Sequence, residues 1–231
     1  MHPLDNPAWS ALTTLQSSFS LGSGPARRFR SDISPIAGLK DAADPASWFA
    51  LSELADTEPY ICMFNISENA PMDGWTADWR YTYNQMTVTK ARYRMNRDVV
   101  ARVPMRPLTL ADGDAMVALA ALAKPGPMKL RTVSLGSYLG IFDAEDSLMA
   151  MAGERMRIDG ATEVSGVCTH PGHRGKRYAQ LLVAAITENV LERGDTAFLH
   201  VRNDNPGAAS VYEKLGFTTR TTFDIAAVIK P

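Results

Sequence analysis

The sequence has few features of exported, membrane-bound or nucleic-acid-coating proteins. Only two cysteines, Cys62 and Cys168, occur in 231 residues, too few for a disulfide framework, so a reducing cytoplasm is the expected compartment. No apolar run approaches the roughly 18 residues of a membrane span, and the first residues carry no basic leader, so we expect neither membrane insertion nor export. The 24 Lys and Arg residues balance 25 Asp and Glu residues, for a net charge of −1, which argues against nucleic-acid binding through bulk charge.

What is present is an ordinary globular composition, with 45% apolar and 21% charged residues, and a pattern of strands and helices. Residues 1–100 hold short apolar pieces without a chemical motif and are predicted to form a smaller N-terminal α/β region of unknown role. Residues 103–231 are predicted to form a second domain, of class α/β with a mixed central sheet flanked by helices. Its expected elements are a helix over 112–123, strands over 137–142, 148–157 and 161–169, a helix over 176–192, a strand over 198–201, a helix over 205–216 and one or two strands over 217–229.

The loop between the strand ending near residue 169 and the long helix has the composition of an anion site. No acidic residue occurs between Glu163 and Glu188, whereas Arg174, Lys176 and Arg177 crowd the helix start. Acidic side chains are favoured there by about 0.3–1 kcal/mol, so a basic cluster makes physical sense if an anion binds. The spacings of a nucleotide P-loop and of a dinucleotide fingerprint are absent. A loop around a pyrophosphate or another phosphate-bearing ligand remains, with a solvated basic loop as the alternative.

Two segments of this half resemble the hallmark motifs of GNAT N-acetyltransferases. Residues 167–179 are similar to the family motif Arg/Gln-x-x-Gly-x-Gly/Ala, with Arg174, Arg177 and Ala179 at its defined positions. Residues 205–217 are similar to the motif N-x-x-A-x-x-x-Y-x-x-x-G-F. Arg177 replaces the first motif glycine, which has little consequence if the position has ordinary helical dihedrals. The resemblance covers the whole predicted C-terminal domain and is nearest to the FR47-like subgroup.

The resemblance implies acetyl-CoA as the acetyl donor, no metal, and a primary amine on a small molecule or peptide as the acceptor. It implies a coenzyme site formed by Val167, Cys168, Thr169, Arg174, Gly175, Lys176, Arg177, Tyr178, Ala179, Asn205, Ala208 and Tyr212. The basic loop would hold the pyrophosphate, and the backbone of residues 167–169 would pair with the pantetheine arm. A catalytically lapsed acyl-CoA sensor or scaffold is the alternative, favoured by the departure at Arg177. Residues 1–100 are a candidate for a degenerate GNAT-like partner, and the oligomeric state stays open.

Two residues are candidates for the proton transfers that acetyl transfer to an amine requires. The resemblance places Tyr212 beside the coenzyme sulfur, which makes it the candidate acid for the departing thiolate; a tyrosine that only packs its ring in the core is the alternative. Glu163 is the candidate base, because an acid within an apolar strand calls for a reason and the resemblance places a carboxylate of this strand near the thioester. A surface glutamate on an edge strand is the alternative. Asn205 also suits the cap of the last helix.

Other polar clusters give weaker signals. Cys168 beside His170 and His173 suggests a nucleophile or a metal site, but no orienting residue or further spaced ligand is evident. Glu154 and Arg155, on the preceding strand, line an acceptor pocket or form a cross-strand ion pair of small energetic value.

Overall fold

The structure is a computed structural model that describes residues 2–55, 59–65, 70, 74–95 and 103–230. Its strands are β1 (Ser20–Leu21), β2 (Ala26–Phe29), β3 (Ile36–Leu39), β4 (Ile61–Phe64), β5 (Thr76–Val88), β6 (Arg106–Pro107), β7 (Tyr138–Phe142), β8 (Leu148–Ile158), β9 (Ala161–Thr169), β10 (Thr196–Arg202) and β11 (Thr218–Ile229). Its α-helices are α1 (Pro7–Thr13), α2 (Pro45–Ser52), α3 (Gly113–Ala123), α4 (Tyr178–Glu192) and α5 (Pro206–Lys214). Every element predicted for the C-terminal half is present within about two residues of its expected bounds.

These strands form one mixed sheet in the order β1-β2-β3-β4-β11-β5-β10-β9-β8-β7-β6. Neighbouring strands are antiparallel except β3 with β4 and β9 with β10, which are parallel. Helix α4 connects β9 to β10, as a crossover between parallel strands requires. The α/β class and the mixed sheet are therefore confirmed.

Strand β5 comes from the N-terminal region but lies between two strands of the C-terminal half. It pairs antiparallel with β11 over nearly its whole length and with β10 over residues 83–88. The N-terminal and C-terminal parts of the chain therefore share one sheet. The predicted boundary between residues 100 and 103 includes positions outside the described residues, and the division into two domains stays a prediction.

Helix α4 packs on the sheet through an apolar stripe. Leu182, Ile186 and Val190 recur at helical spacing and are fully buried, as is Ala150 of β8 in the same cluster. Burial of each of the three large side chains contributes about 1.5–3 kcal/mol, which holds the first turn of α4 in place at the end of β9. Among the residues described, no helix, α4 included, is long and apolar enough to cross a membrane.

Strands β9 and β10 pair along only part of their length. Their parallel register begins at Ala161 with Thr196 and ends at Glu163 with Phe198. Beyond these residues, β10 is paired only with β5 and β9 only with β8. Gly166 has φ of 63° at a register shift between β8 and β9, a left-handed conformation that favours glycine and is typical of a bulge. The two strands therefore separate beyond Glu163, and the site lies where they diverge.

Candidate active site

A cavity of about 450 Å³, which we call the basic cavity, lies where β9 ends and α4 begins, with α5 opposite. Its volume falls within the roughly 300–1,000 Å³ typical of ligand pockets. All the residues predicted to hold the coenzyme line it except Asn205. It has further lining residues that the sequence analysis missed, because they belong to no motif position: Ala123, His173, Gln180, Val211 and Lys214.

The described walls of the basic cavity carry positive charge and no carboxylate. Arg174, Lys176 and Arg177 come from the loop, and Lys214 comes from the end of α5. Helix α4 is 15 residues long, so its unpaired first N–H groups and its dipole add to the positive potential. A bound anion would offset charges that otherwise repel one another, which favours the phosphate site over a solvated loop.

Arg177 has a left-handed backbone conformation, with φ of 64° and ψ of 13°, at the N-cap of α4. The condition under which the replacement has little consequence, ordinary helical dihedrals, is therefore not met. This conformation costs an L-amino acid about 1–2 kcal/mol, whereas glycine adopts it readily, which gives a physical reason for the glycine in the family motif. It also interrupts the helical dihedrals, so α4 begins at Tyr178 and not at Lys176 as predicted.

Tyr212 lies on α5, a helix that starts as its sequence predicts. Pro206 occupies the first turn, and Oδ1 of Asn205 accepts a hydrogen bond from the backbone N–H of Ala208 at 3.1 Å. The Tyr212 ring packs edge-on against Phe217, with ring centroids 6.1 Å apart. Burial raises the pKa of Tyr212 to about 12, so its hydroxyl stays protonated at neutral pH and is able to donate a proton.

A second cavity of about 380 Å³ adjoins the basic cavity. The two share Ala123, Val167, Ala208 and Tyr212, so they meet at these residues. We call this second one the aromatic cavity, because strands β4 and β5 give it a wall of aromatic rings: Phe64, Trp79, Tyr81 and Tyr83. Asn205, predicted as a coenzyme residue, lines this cavity and not the basic one.

Glu163 lines the aromatic cavity and is fully buried, so it is not a surface glutamate. Its carboxylate accepts hydrogen bonds from Nε and Nη2 of Arg155 at 2.8 and 2.6 Å, from Nδ1 of His200 at 2.7 Å and from the backbone N–H of Met156 at 3.3 Å. Burial alone would raise the pKa of Glu163, but the charge and hydrogen bonds of Arg155, together with the hydrogen bond from His200, outweigh burial and lower the pKa to about 2. The carboxylate is therefore ionised at neutral pH, and its role as base stays a prediction.

His200 is neutral and contacts the same carboxylate oxygen of Glu163, Oε1, as Nη2 of Arg155 does. Burial lowers the pKa of His200 despite the hydrogen bond and charge of Glu163. Because an ionised carboxylate only accepts hydrogen bonds, Nδ1 carries the hydrogen, and Nε2 accepts from Nε2 of Gln85 at 3.2 Å. The sequence analysis missed His200 and Gln85; a histidine inside an apolar strand was the one signal available.

Two arginines line the aromatic cavity, and each pairs with an acid. Arg155 forms a cross-strand ion pair with Glu163 that is buried, unlike the weak pair considered from the sequence, and it also lines this cavity. Its place in an acceptor pocket stays a prediction. Arg202, which the sequence analysis did not single out, pairs with Asp204 and stacks on Tyr81, with its guanidinium carbon 3.7 Å from the ring centroid. Glu154 does not line the cavity.

The cluster around Cys168 gives little support to a nucleophile. The thiol is buried, which raises the pKa of Cys168 to about 12 and leaves little thiolate. Nδ1 of His170 accepts from the backbone N–H of Gly172 at 3.1 Å, and Nδ1 of His173 lies 3.3 Å from Nζ of Lys176. Across the described part of the chain, no group of three or more His, Cys, Asp or Glu residues is placed to hold a metal ion.

Comparison with known proteins relates the chain to acetyltransferases. A family model described as FR47-like protein matches residues 138–224. The structure of a GNAT-family protein from Novosphingobium aromaticivorans has a TM-score of 0.88 and 30% sequence identity, over 100% of both chains. A GCN5-related N-acetyltransferase from Kribbella flavida has a TM-score of 0.63 and 21% identity, with 97% of this chain and 94% of the other covered, which shows the fold alone. No curated protein matches the sequence.

The family-model match contains both motif segments, residues 167–179 and 205–217, and is shorter than the predicted resemblance over 103–231. The match to the Novosphingobium protein also spans residues 1–100, where no motif resembles the family. The fold and the two joined cavities agree with what the motifs imply. With 30% identity over its full length to a member, this chain belongs to the GNAT family, whose fold supports acyl transfer from acyl-CoA to an amine.

Proposed function

We propose that the protein is an N-acetyltransferase that moves the acetyl group of acetyl-CoA directly to a primary amine while both are bound. The observation that carries the proposal is that the basic and aromatic cavities meet at Tyr212. A donor with a diphosphate suits the basic cavity, and an amine in the aromatic cavity reaches the same junction. Direct transfer therefore needs no covalent step on the protein, because both partners are held in proximity.

Acetyl-CoA supplies the acetyl group as a thioester. In the proposal, Arg174, Lys176, Arg177 and the first amides of α4 hold its phosphates, since these groups form the positive end of the basic cavity. Residues 167–169 extend from that end to the junction and orient the pantetheine arm through their backbone. Oδ1 of Asn205 accepts the hydrogen bond that caps α5. The side-chain N–H groups of Asn205 are therefore the donors proposed to contact the pantetheine arm.

Tyr212 acts as the acid in this proposal. Its pKa of about 12 keeps the hydroxyl protonated, and its place between the cavities allows it to return a proton to the departing thiolate. General acid catalysis contributes about 10²–10⁴-fold, so Tyr212→Phe should lower kcat by about 100-fold with little change in coenzyme affinity. Tyr138→Phe is the matched control, because the Tyr138 hydroxyl is buried and has no hydrogen-bond partner among the described residues, and Tyr138 lines neither cavity. Unchanged turnover in Tyr212→Phe would remove the acid role.

Glu163 acts as the proton acceptor, and its surroundings determine when it does so. A carboxylate with a pKa of about 2 is a weak base beside an amine with a pKa near 10. It therefore takes the proton late, once bonding to the carbonyl carbon has made the amine N–H strongly acidic. Because Glu163 is already ionised across neutral pH, the rise of kcat/KM with pH should follow the pKa of the free amine, and Glu163→Gln should lower kcat/KM without moving that pKa. A moved pKa would contradict this assignment.

The proposed function as a whole is tested by two measurements on the same preparation. Calorimetry with acetyl-CoA should show binding that weakens at high salt, because the contacts are to phosphates. Thiol release on a panel of primary amines should then depend on both acetyl-CoA and the amine. Binding without turnover on any amine would favour the sensor alternative, and absence of binding would refute both.

A further inference from the structure

We infer that the amine acceptor is a small amino carboxylate with an apolar or aromatic body, and that Arg155 binds its carboxylate. The inference rests on the proposed function and adds a substrate class to it. It is carried by three features of the aromatic cavity: unused donors on Arg155, an excess of cationic side chains and a wall of aromatic rings. Each is described in turn.

The Arg155 guanidinium has hydrogen-bonding capacity that Glu163 does not use. A guanidinium has five N–H donors; Glu163 occupies the edge formed by Nε and Nη2. The end edge, with one N–H each from Nη1 and Nη2, is the geometry that binds a second carboxylate in a bidentate manner. The Arg155 side chain lines the aromatic cavity and is 12% exposed. Because Glu163 covers the edge with Nε and Nη2, we assign the ligand to the end edge.

The charges around the aromatic cavity favour an anionic group on the acceptor. Lys124, Arg155 and Arg202 line it, whereas Glu163 is the one carboxylate among its described lining residues. Glu163 offsets Arg155, and Asp204 offsets Arg202, which leaves the positive charge of Lys124 in excess among the described lining residues. A polyamine would meet this excess as repulsion, whereas a carboxylate would be attracted.

The same charges assist the chemistry of the amine. Nearby positive charge disfavours the protonated form of an amine and lowers its pKa. An amino carboxylate therefore gains twice in this cavity: its carboxylate is bound, and its amino group is shifted toward the neutral form that attacks the thioester.

The aromatic wall and the volume define the rest of the acceptor. Phe64, Trp79, Tyr81 and Tyr83 give the cavity an apolar surface beside the cations, and Arg155 lies 5.6 Å from the Phe64 ring centroid. A volume of about 380 Å³ suits a molecule of amino-acid size. A ring held on this wall can therefore lie next to a carboxylate held by Arg155.

The first test uses the unaltered protein and compares three matched acceptors: L-phenylalanine, L-phenylalaninamide and phenethylamine. They share the aromatic body and the amine, but only the first has a carboxylate. We expect kcat/KM for L-phenylalanine, per neutral amine, to exceed the other two by at least about 10-fold, as a charged bidentate hydrogen bond allows. Equal values, or a preference for either compound that lacks the carboxylate, would overturn the inference while leaving the proposed function intact.

The second test measures binding without any acetyl transfer, using calorimetry with 3-phenylpropanoate and 3-phenylpropanamide. The carboxylate should bind at least about 10-fold more tightly, and Arg155→Lys should remove this preference, because a lysine ammonium is a point charge that Glu163 already engages. Arg131→Lys is the matched control, since Arg131 pairs with Asp32 outside both cavities. Retained preference in Arg155→Lys would overturn the assignment. If that variant fails to fold, equal binding of the two probes by the unaltered protein would overturn it. Carboxylate binding without turnover on any amine would refute the proposed function alone.

Discussion

The left-handed conformation of Arg177 predicts that glycine and alanine have opposite effects at two neighbouring positions. Arg177 has φ of 64°, whereas Arg174 has φ of −64° and ψ of 161°, an extended conformation open to any residue. Replacing either arginine by glycine or by alanine removes the same side chain. The difference in unfolding free energy between the glycine and alanine variants at each position therefore isolates the backbone.

The magnitude follows from two opposing quantities. Glycine avoids the left-handed penalty of about 1–2 kcal/mol, but its greater freedom in the unfolded chain costs about 0.4–1 kcal/mol. At position 177 both apply, so Arg177→Gly should be more stable than Arg177→Ala by about 0.8 kcal/mol, the difference between the midpoints of the two ranges. At position 174 only the second applies, so Arg174→Ala should be more stable than Arg174→Gly by about 0.4–1 kcal/mol.

Urea unfolding followed by tryptophan fluorescence measures this difference for all four variants. With a slope of about 2–3 kcal/mol per molar urea, each difference corresponds to a midpoint shift of about 0.2–0.5 M. The unfolding should be measured without acetyl-CoA, so that coenzyme affinity does not enter. If alanine is as stable as glycine at position 177, the backbone there is not left-handed and the argument about the motif glycine fails.

Two further outcomes concern stability. The pKa of Glu163 is lowered from 4.5 to about 2, which corresponds to about 3 kcal/mol of unfolding free energy. This stabilisation is present above pH 4.5 and is lost as the pH falls toward 2. In urea unfolding, Glu163→Gln should therefore lose less stability than the unaltered protein between pH 5 and pH 3, and an equal loss would contradict the network. Asn205→Ala removes the hydrogen bond from the Ala208 N–H and should lower the unfolding free energy by about 1 kcal/mol. Asn205→Asp keeps an oxygen that accepts this hydrogen bond and should retain the stability of the unaltered protein. Equal stability of the two variants would contradict the cap.

Local signals in the sequence were sufficient for most elements of the C-terminal half and for the basic cavity. Apolar periodicity gave α4 and its neighbouring strands, because each pattern is complete within one segment. Asp112 shows the limit of such signals. As the first residue of the helix predicted over 112–123 it has the side chain of an N-cap, but this side chain accepts a hydrogen bond from the backbone N–H of Thr109 at 2.8 Å and pairs with Arg106. A capping residue can serve the turn before a helix as well as the helix, and the sequence does not distinguish these.

The aromatic cavity was not predictable in the same way, because its parts are distant in the chain. His200 and Gln85 meet across neighbouring strands, and Glu163 reaches Arg155 across another pair. Trp79 and the other aromatic residues of β5 belong to no motif. Strand β5 is held in the sheet by pairing with residues more than a hundred positions later in the chain. Long-range pairing of this kind depends on the whole sheet and leaves no local pattern.

Because β5 lies between β10 and β11, the walls of the two cavities come from different stretches of the chain. Every described lining residue of the basic cavity falls within positions 123–214, while several walls of the aromatic cavity come from positions 36–83. If the proposed function holds, changes in the early stretch should alter which amine is accepted and leave coenzyme binding little changed. A shortened protein that begins at residue 103 would lack the strand that joins β10 to β11, so we expect the sheet to require this early stretch.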